Sequence, residues 1–230
     1  MKYRVFLAFA LTFCLLTSTF AQNPGLNGLY FKMTMSFGSF QQDHWWFLPD
    51  GRYLNNVPAG GLDPAVFEAN CQKAPTACGT YTIQGGNLAL TPRSGKPSTM
   101  PLEQPADGNL KLAGLFAKHV DKFPPNAKLE GQYGWLGNAS GGGTSVSAAK
   151  TYVFRSDGTF STSSVGGTTM MNNKLGESTS GAGGGTYKLN GNTLELAAGG
   201  QTAKYTVYPY VLRPGDVRLN IDGAMFKRER

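Results

Sequence analysis

The chain has 230 residues; 21 basic and 14 acidic side chains give a formal net charge of +7 and a sequence pI near 9.3. Charged residues make up only 15%, against roughly 25% in an average soluble domain, while glycine reaches 31 residues and aromatics 12%. Forty percent hydrophobic content excludes wholesale disorder, and two histidines with three cysteines argue against a histidine-rich metal site or a large disulfide scaffold.

At the start of the chain, Lys2 and Arg4 precede an uncharged apolar run from Val5 to Leu16, followed by Thr17-Ser18-Thr19-Phe20-Ala21. That layout predicts a secretory signal peptide over residues 1–21, cut after Ala21. The competing reading, an uncleaved anchor, needs roughly 20 apolar residues, and this run is shorter. Export to the periplasm or beyond is therefore expected, with no transmembrane segment after cleavage. Loss of Lys2 and Arg4 leaves 19 basic residues against 14 acidic ones, a charge of +5. Cys14 is lost with them, so Cys71 and Cys78 remain. In an oxidising compartment this close pair is expected to form a disulfide, worth about 2.5 kcal/mol in loop-closure entropy. Two separately buried thiols are the alternative.

The rest of the chain carries one set of blocks twice. Leu26-Asn27-Gly28-Leu29-Tyr30 returns as Leu129-Glu130-Gly131-Gln132-Tyr133. The segment from Trp45 through Asp50-Gly51 to Tyr53 returns as Tyr152 through Asp157-Gly158 to Phe160. Gly79-Thr80-Tyr81, followed by Leu88 and Leu90, returns as Gly185-Thr186-Tyr187, followed by Leu194 and Leu196. The offsets, read at Gly28, Asp50 and Gly79, are 103, 107 and 106 residues. Even the tails match, Leu110 to Gly114 with Leu219 to Gly223. Asp-Gly between alternating bulky residues is a strong hairpin signal, and Gly85-Gly86-Asn87 and Asn190-Gly191-Asn192 do the same work. About eight short strands per half are expected, as an antiparallel barrel or tight sandwich.

The halves diverge between their third and fourth strands. In the first, Asp63 as N-cap and Pro64 at the first helical position predict a short helix to Asn70. In the second, the Gly-, Ser-, Thr- and Asn-rich stretch from Thr162 to Gly184, with Met170-Met171 inside it, reads as a long mobile loop. Gly141-Gly142-Gly143 is another flexible spot. Asp121 to Asn126, with Pro124-Pro125, forms a stiff linker.

The repeated pattern is Leu-x-Gly-x-Tyr, aromatic-x-Phe-x-x-Asp-Gly-x-aromatic, then Gly-Thr-Tyr with paired leucines. It resembles bacterial exported lipocalin-like domains, present as two tandem copies over nearly all of residues 25–230. The resemblance implies an all-β fold of two small antiparallel β-barrels, with the short helix in the first. The expected divisions are a signal peptide at 1–21, a first domain at 22–120, a linker at 121–128 and a second domain at 129–230. The ligand that the resemblance implies is small and apolar or amphipathic.

Little here points to catalysis or to a cofactor. His44 and His119 lack the partners of a usual zinc site, and no His-Glu-x-x-His or Gly-x-Ser-x-Gly motif exists. Asp50 and Asp157 recur at equivalent places, but a turn position explains them. The Gly181 to Gly185 cluster lacks the Lys-Ser/Thr ending of a phosphate loop. Asn138-Ala139-Ser140 is a glycosylation sequon only in a eukaryotic pathway. Basic residues are scattered apart from the tail Lys227 to Arg230, so nucleic-acid binding is not expected. No enzyme activity, metal or cofactor is expected.

Binding remains. In a strand, Trp46 points away from Trp45 and Phe47, whose repeat partners are Tyr152 and Phe154. The doubled pair marks the core face. The extra outward Trp46 beside His44 is therefore the candidate contact for a ligand or an envelope partner, with packing between the domains as the plainer reading. A structural or surface-interaction module with solid barrel cores is the second functional reading.

Overall fold

The computed structural model describes residues 25–36, 39–141, 144–170, 175–213 and 215–229. The expected signal peptide lies outside them, as do Gly142, Gly143, Met171 and Pro214. The first barrel comprises β1 (Gly28–Ser36), β2 (Ser39–Phe47), β3 (Arg52–Leu54), β4 (Cys78–Gln84), β5 (Asn87–Pro92), β6 (Ser98–Glu103), β7 (Leu110–Leu112) and β8 (Leu115–His119). The second comprises β9 (Gly131–Gly141), β10 (Thr144–Phe154), β11 (Thr159–Met170), β12 (Leu175–Asn190), β13 (Thr193–Ala198), β14 (Gln201–Arg213), β15 (Asp216–Ile221) and β16 (Ala224–Arg228). Each sheet runs antiparallel in chain order and closes on itself, β1 against β8 and β9 against β16. The fold is all-β, as two closed eight-stranded barrels. Among the described residues, no helix is long and apolar enough to cross a membrane.

The repeated residues account for the repeated shape. Gly51 and Gly158 take positive φ, 87° and 89°, at the tips of the two Asp-Gly turns. Asp50 and Asp157 accept the N–H of Arg52 and Thr159 at 3.2 and 2.8 Å. Side-chain hydrogen bonds from Arg52 and Thr159 hold these two carboxyls below the usual carboxylate range. Both aspartates thus serve the turns.

Inside, matching rings pack in matching ways. Trp45 stacks on Phe47 at 6.0 Å and 7°, and Tyr152 on Phe154 at 5.6 Å and 17°. Phe47 meets Tyr81 edge-on at 5.0 Å, and Phe154 meets Tyr187 at 5.2 Å. The Tyr81 hydroxyl donates to the carbonyls of Leu26 and Leu48, at 2.8 and 3.1 Å. The Tyr187 hydroxyl donates likewise to Leu129 and Arg155, at 2.7 and 3.0 Å. One ring therefore ties the chain entering each barrel to its first Asp-Gly turn. The glycine two residues earlier lets the neighbouring strand approach. A Cβ on Gly79 would lie 2.0 Å from the Thr91 carbonyl oxygen, and one on Gly185 1.9 Å from that of Ala197.

The expected helix forms as a 3-10 turn, Pro64–Val66, running into α1 (Phe67–Lys73), with the Asp63 carboxylate accepting the Ala65 N–H. Cys71 of α1 is disulfide-bonded to Cys78 of β4. The expectation of a long loop from Thr162 to Gly184 is overturned. Ser161–Gly167 pairs residue by residue with Ser178–Gly184, so β11 and β12 run through most of it. Hydrogen bonding to its own hairpin partner holds this polar stretch extended. Apolar side chains are scarce because Ser163, Ser164 and residues 180–184 are exposed, and burial makes no demand on them.

Outward side chains of the two barrels share a third cluster. Leu29, Phe31, Trp46 and Leu54 pack with Phe67, the disulfide and Tyr208. Polar ties flank it: Leu62 N–H to Thr193 Oγ1, Asn192 Nδ2 to the Asp121 carbonyl, and Thr206 Oγ1 to the Pro58 carbonyl. The tyrosine ties yield a direct test. Tyr81→Phe and Tyr187→Phe should each cost about 1–3 kcal/mol, because the buried carbonyl of Leu26 or Leu129 loses its donor, while those of Leu48 and Arg155 keep the Gly51 and Gly158 N–H groups. Urea unfolding followed by circular dichroism measures this; unchanged midpoints would contradict the role.

Candidate ligand-binding site

Antiparallel register stacks the inward residues of β9 to β12 in rows. Gly131, Phe154, Phe160 and Gly185 form the base row; Tyr133, Tyr152, Thr162 and Gly183 lie above it. Trp135, Lys150, Ser164 and Gly181 form the third row, where the strands outrun the packed core. In every row β12 contributes glycine, so that wall is bare backbone. Space results. A cavity of about 410 Å³ opens there, lined by Trp135, Ala148, Lys150, Ser164, Gly166 and Gly181 among others.

The groups at this mouth are chemically unusual for a barrel. The Lys150 ammonium sits 4.8 Å from the centre of the Tyr152 ring, within range of a cation–π contact. It has no carboxylate partner among the described residues. Burial pushes the Tyr152 hydroxyl up to about 12, with Asp222 adding to the effect. Thr162 Oγ1, in the row beneath Lys150, is buried without a hydrogen-bond partner among the described residues. The first barrel differs at the corresponding row. There Lys32 on β1 faces Asp43 on β2, and the two form an ion pair at 2.9 Å.

The residues singled out by sequence lie elsewhere. Trp46 points out of its barrel but is buried against Phe67 of α1, with ring centres 6.0 Å apart. His44, also buried, hydrogen-bonds through Nε2 to the Tyr208 hydroxyl of the second barrel at 2.6 Å. Both belong to the junction between barrels. His119 packs edge-on against Tyr30 at 5.1 Å. A cleft of about 470 Å³ does open beside His44, lined also by Gln42, Asn56, Val57 and Asp222. Several of its polar groups are engaged within the protein: His44 by Tyr208, one Asp222 oxygen by the Thr206 N–H, the Asn56 oxygen by the Val57 N–H and the Gln42 oxygen by the Asn220 amide. The mouth of the second barrel offers a lysine with no carboxylate partner among the described residues, and is the better candidate. Sequence reasoning passed over Trp135, Lys150 and Thr162. Aligning the repeats by strand register would have set Lys150 against Asp43 and Trp135 against Lys32. Among the described residues, no group of three or more His, Cys, Asp or Glu side chains is placed to hold a metal.

No family model matches the chain, and no curated protein or solved structure does.

Burial pushes His44 down to about 4 from 6.5, with Asp43 opposing. The unfolded chain therefore binds a proton between these values that the folded chain refuses. Its contribution to stability is complete above pH 6.5 and is lost as pH falls towards 4, by up to about 3 kcal/mol. Asp222, pushed up to about 6 by burial, works in the opposite direction below that pH, so the variant is the readout: calorimetry from pH 4 to 7 should show the Tm of His44→Gln falling less steeply than that of the wild type. Equal slopes would remove His44 from the account.

Proposed function

We propose that this chain is an exported, non-enzymatic binding protein that holds a small amphipathic ligand at the mouth of the second barrel. One observation carries the reading: a cavity of about 410 Å³ places an aromatic ring and a lysine, with no carboxylate partner among the described residues, beside the glycine-rich strand β12. Cavities of this size suit small molecules, and such sites are mostly apolar with a few placed polar groups. The layout of residues 1–21 and the Cys71–Cys78 disulfide support export, since disulfides persist in oxidising compartments. The likeness of the repeats to lipocalin-like domains supports a ligand rather than a reaction.

A second reading rests on a different observation. Both barrel interiors are packed with side chains, Tyr30, Trp45, Phe47 and Tyr81 in one and Tyr133, Tyr152, Phe154 and Tyr187 in the other. Packed interiors suit a structural or surface-interaction module of the cell envelope. Native mass spectrometry of protein from the producing cell, followed by titration with a lipid panel, separates the two. The binding reading predicts a co-purified small molecule or a saturable member of the panel. Protein that is empty and binds nothing in the panel would favour the structural module.

A further inference from the structure

We propose that the ligand at this mouth is an anion, an amphipathic carboxylate whose charge meets Lys150 and whose apolar body lies against Trp135. The proposal rests on the binding reading above and adds the sign of the charge. Its main support is a comparison within the molecule. Each barrel carries a lysine in the third inward row of its first two strands, Lys32 on β1 and Lys150 on β10. In the first barrel the facing residue is Asp43, and the ion pair at 2.9 Å neutralises the mouth. In the second barrel the facing residue is Trp135, so Lys150 has no ion-pair partner among the described residues and gains an apolar neighbour. An ammonium beside an indole matches a ligand with one anionic end and one apolar body.

The surroundings agree in chemistry. The glycines of β12 leave that wall without side chains, so an elongated apolar body can lie along backbone. Gly181 and Gly183 alternate there with Ala182, and Ala148 and Gly166 line the cavity. The Thr162 hydroxyl, without a hydrogen-bond partner among the described residues, lies buried one row deeper. The negative group felt by Tyr152 and Tyr205 is Asp222, which already accepts the Thr206 N–H at 2.7 Å. A carboxylate ligand is thus drawn to the Lys150 ammonium, whereas a cationic amphiphile is repelled by it.

The test uses the whole protein, stripped of bound lipid, with three probes of equal chain length: decanoate, decanol and decyltrimethylammonium. Titration calorimetry below their micellar concentrations should rank decanoate tightest by about tenfold over decanol, the worth of one charge-assisted hydrogen bond. Lys150→Met should remove that margin for decanoate and leave decanol unchanged. Lys150→Arg keeps the charge and should retain decanoate binding. If decanoate and decanol bind alike, or the arginine variant loses as much as the methionine variant, the anion assignment falls while the site stands. If no probe binds the wild type, the site and its charge preference fall together.

Discussion

Each barrel depends on one tyrosine hydroxyl. Tyr81 and Tyr187 sit on the fourth strand of their barrels and reach two backbone carbonyls, one before the first strand and one in the first Asp-Gly turn. The Leu26 and Leu129 carbonyls take their donor from this hydroxyl, while those of Leu48 and Arg155 also accept the Gly51 and Gly158 N–H groups, and an unpaired buried carbonyl is costly. The glycine two residues before each tyrosine, Gly79 or Gly185, admits the next strand at a distance no side chain tolerates. Leu-x-Gly-x-Tyr, Asp-Gly and Gly-Thr-Tyr therefore recur together because they build one closed end. The repeat is a record of how a barrel is shut.

What does not recur lies at the other end. Beyond the shared core, the first barrel turns into α1, and the Cys71–Cys78 disulfide fastens that helix to β4. Phe67 and the cystine then cover Trp46 and Leu54, and the outer face of the first barrel becomes a surface for the second to pack on. Among the described residues the second barrel has no such insert. Its strands β9 to β12 continue past the core, and glycine at positions 181, 183 and 185 of β12 leaves a vestibule instead of a filled layer. The two halves thus share a closed end, while the outer face of the first barrel serves docking and the open end of the second holds an accessible cavity.

Much of this was legible in the sequence because it is local. Asp-Gly turns, the Asp63-Pro64 helix start, the disulfide and the inward faces of Trp45 and Phe47 follow from turn chemistry, capping, redox logic and strand alternation. The misreading of Thr162 to Gly184 has a physical cause. Glycine, serine and threonine signal loops when averaged, but here each residue finds its hydrogen bonds across a hairpin. Trp46 was placed correctly as outward, yet its cover comes from Phe67, beyond the reach of local pattern. His44 meets Tyr208, a partner 164 residues away. The pairing of Lys150 with Trp135 needs register, which emerges only when β9 and β10 are aligned as a hairpin.

The central claim is that the residues that differ between the two barrel mouths form the binding site, while the repeated ones only build the barrels. Amide and indole chemical-shift mapping during a decanoate titration tests it most directly. The account predicts saturable shifts at the Trp135 indole N–H, Lys150, Thr162 and Gly181, with Lys32, Asp43 and Trp45 undisturbed. Shifts centred on the first barrel's mouth, or on the junction cleft around His44 and Asn56, would contradict it.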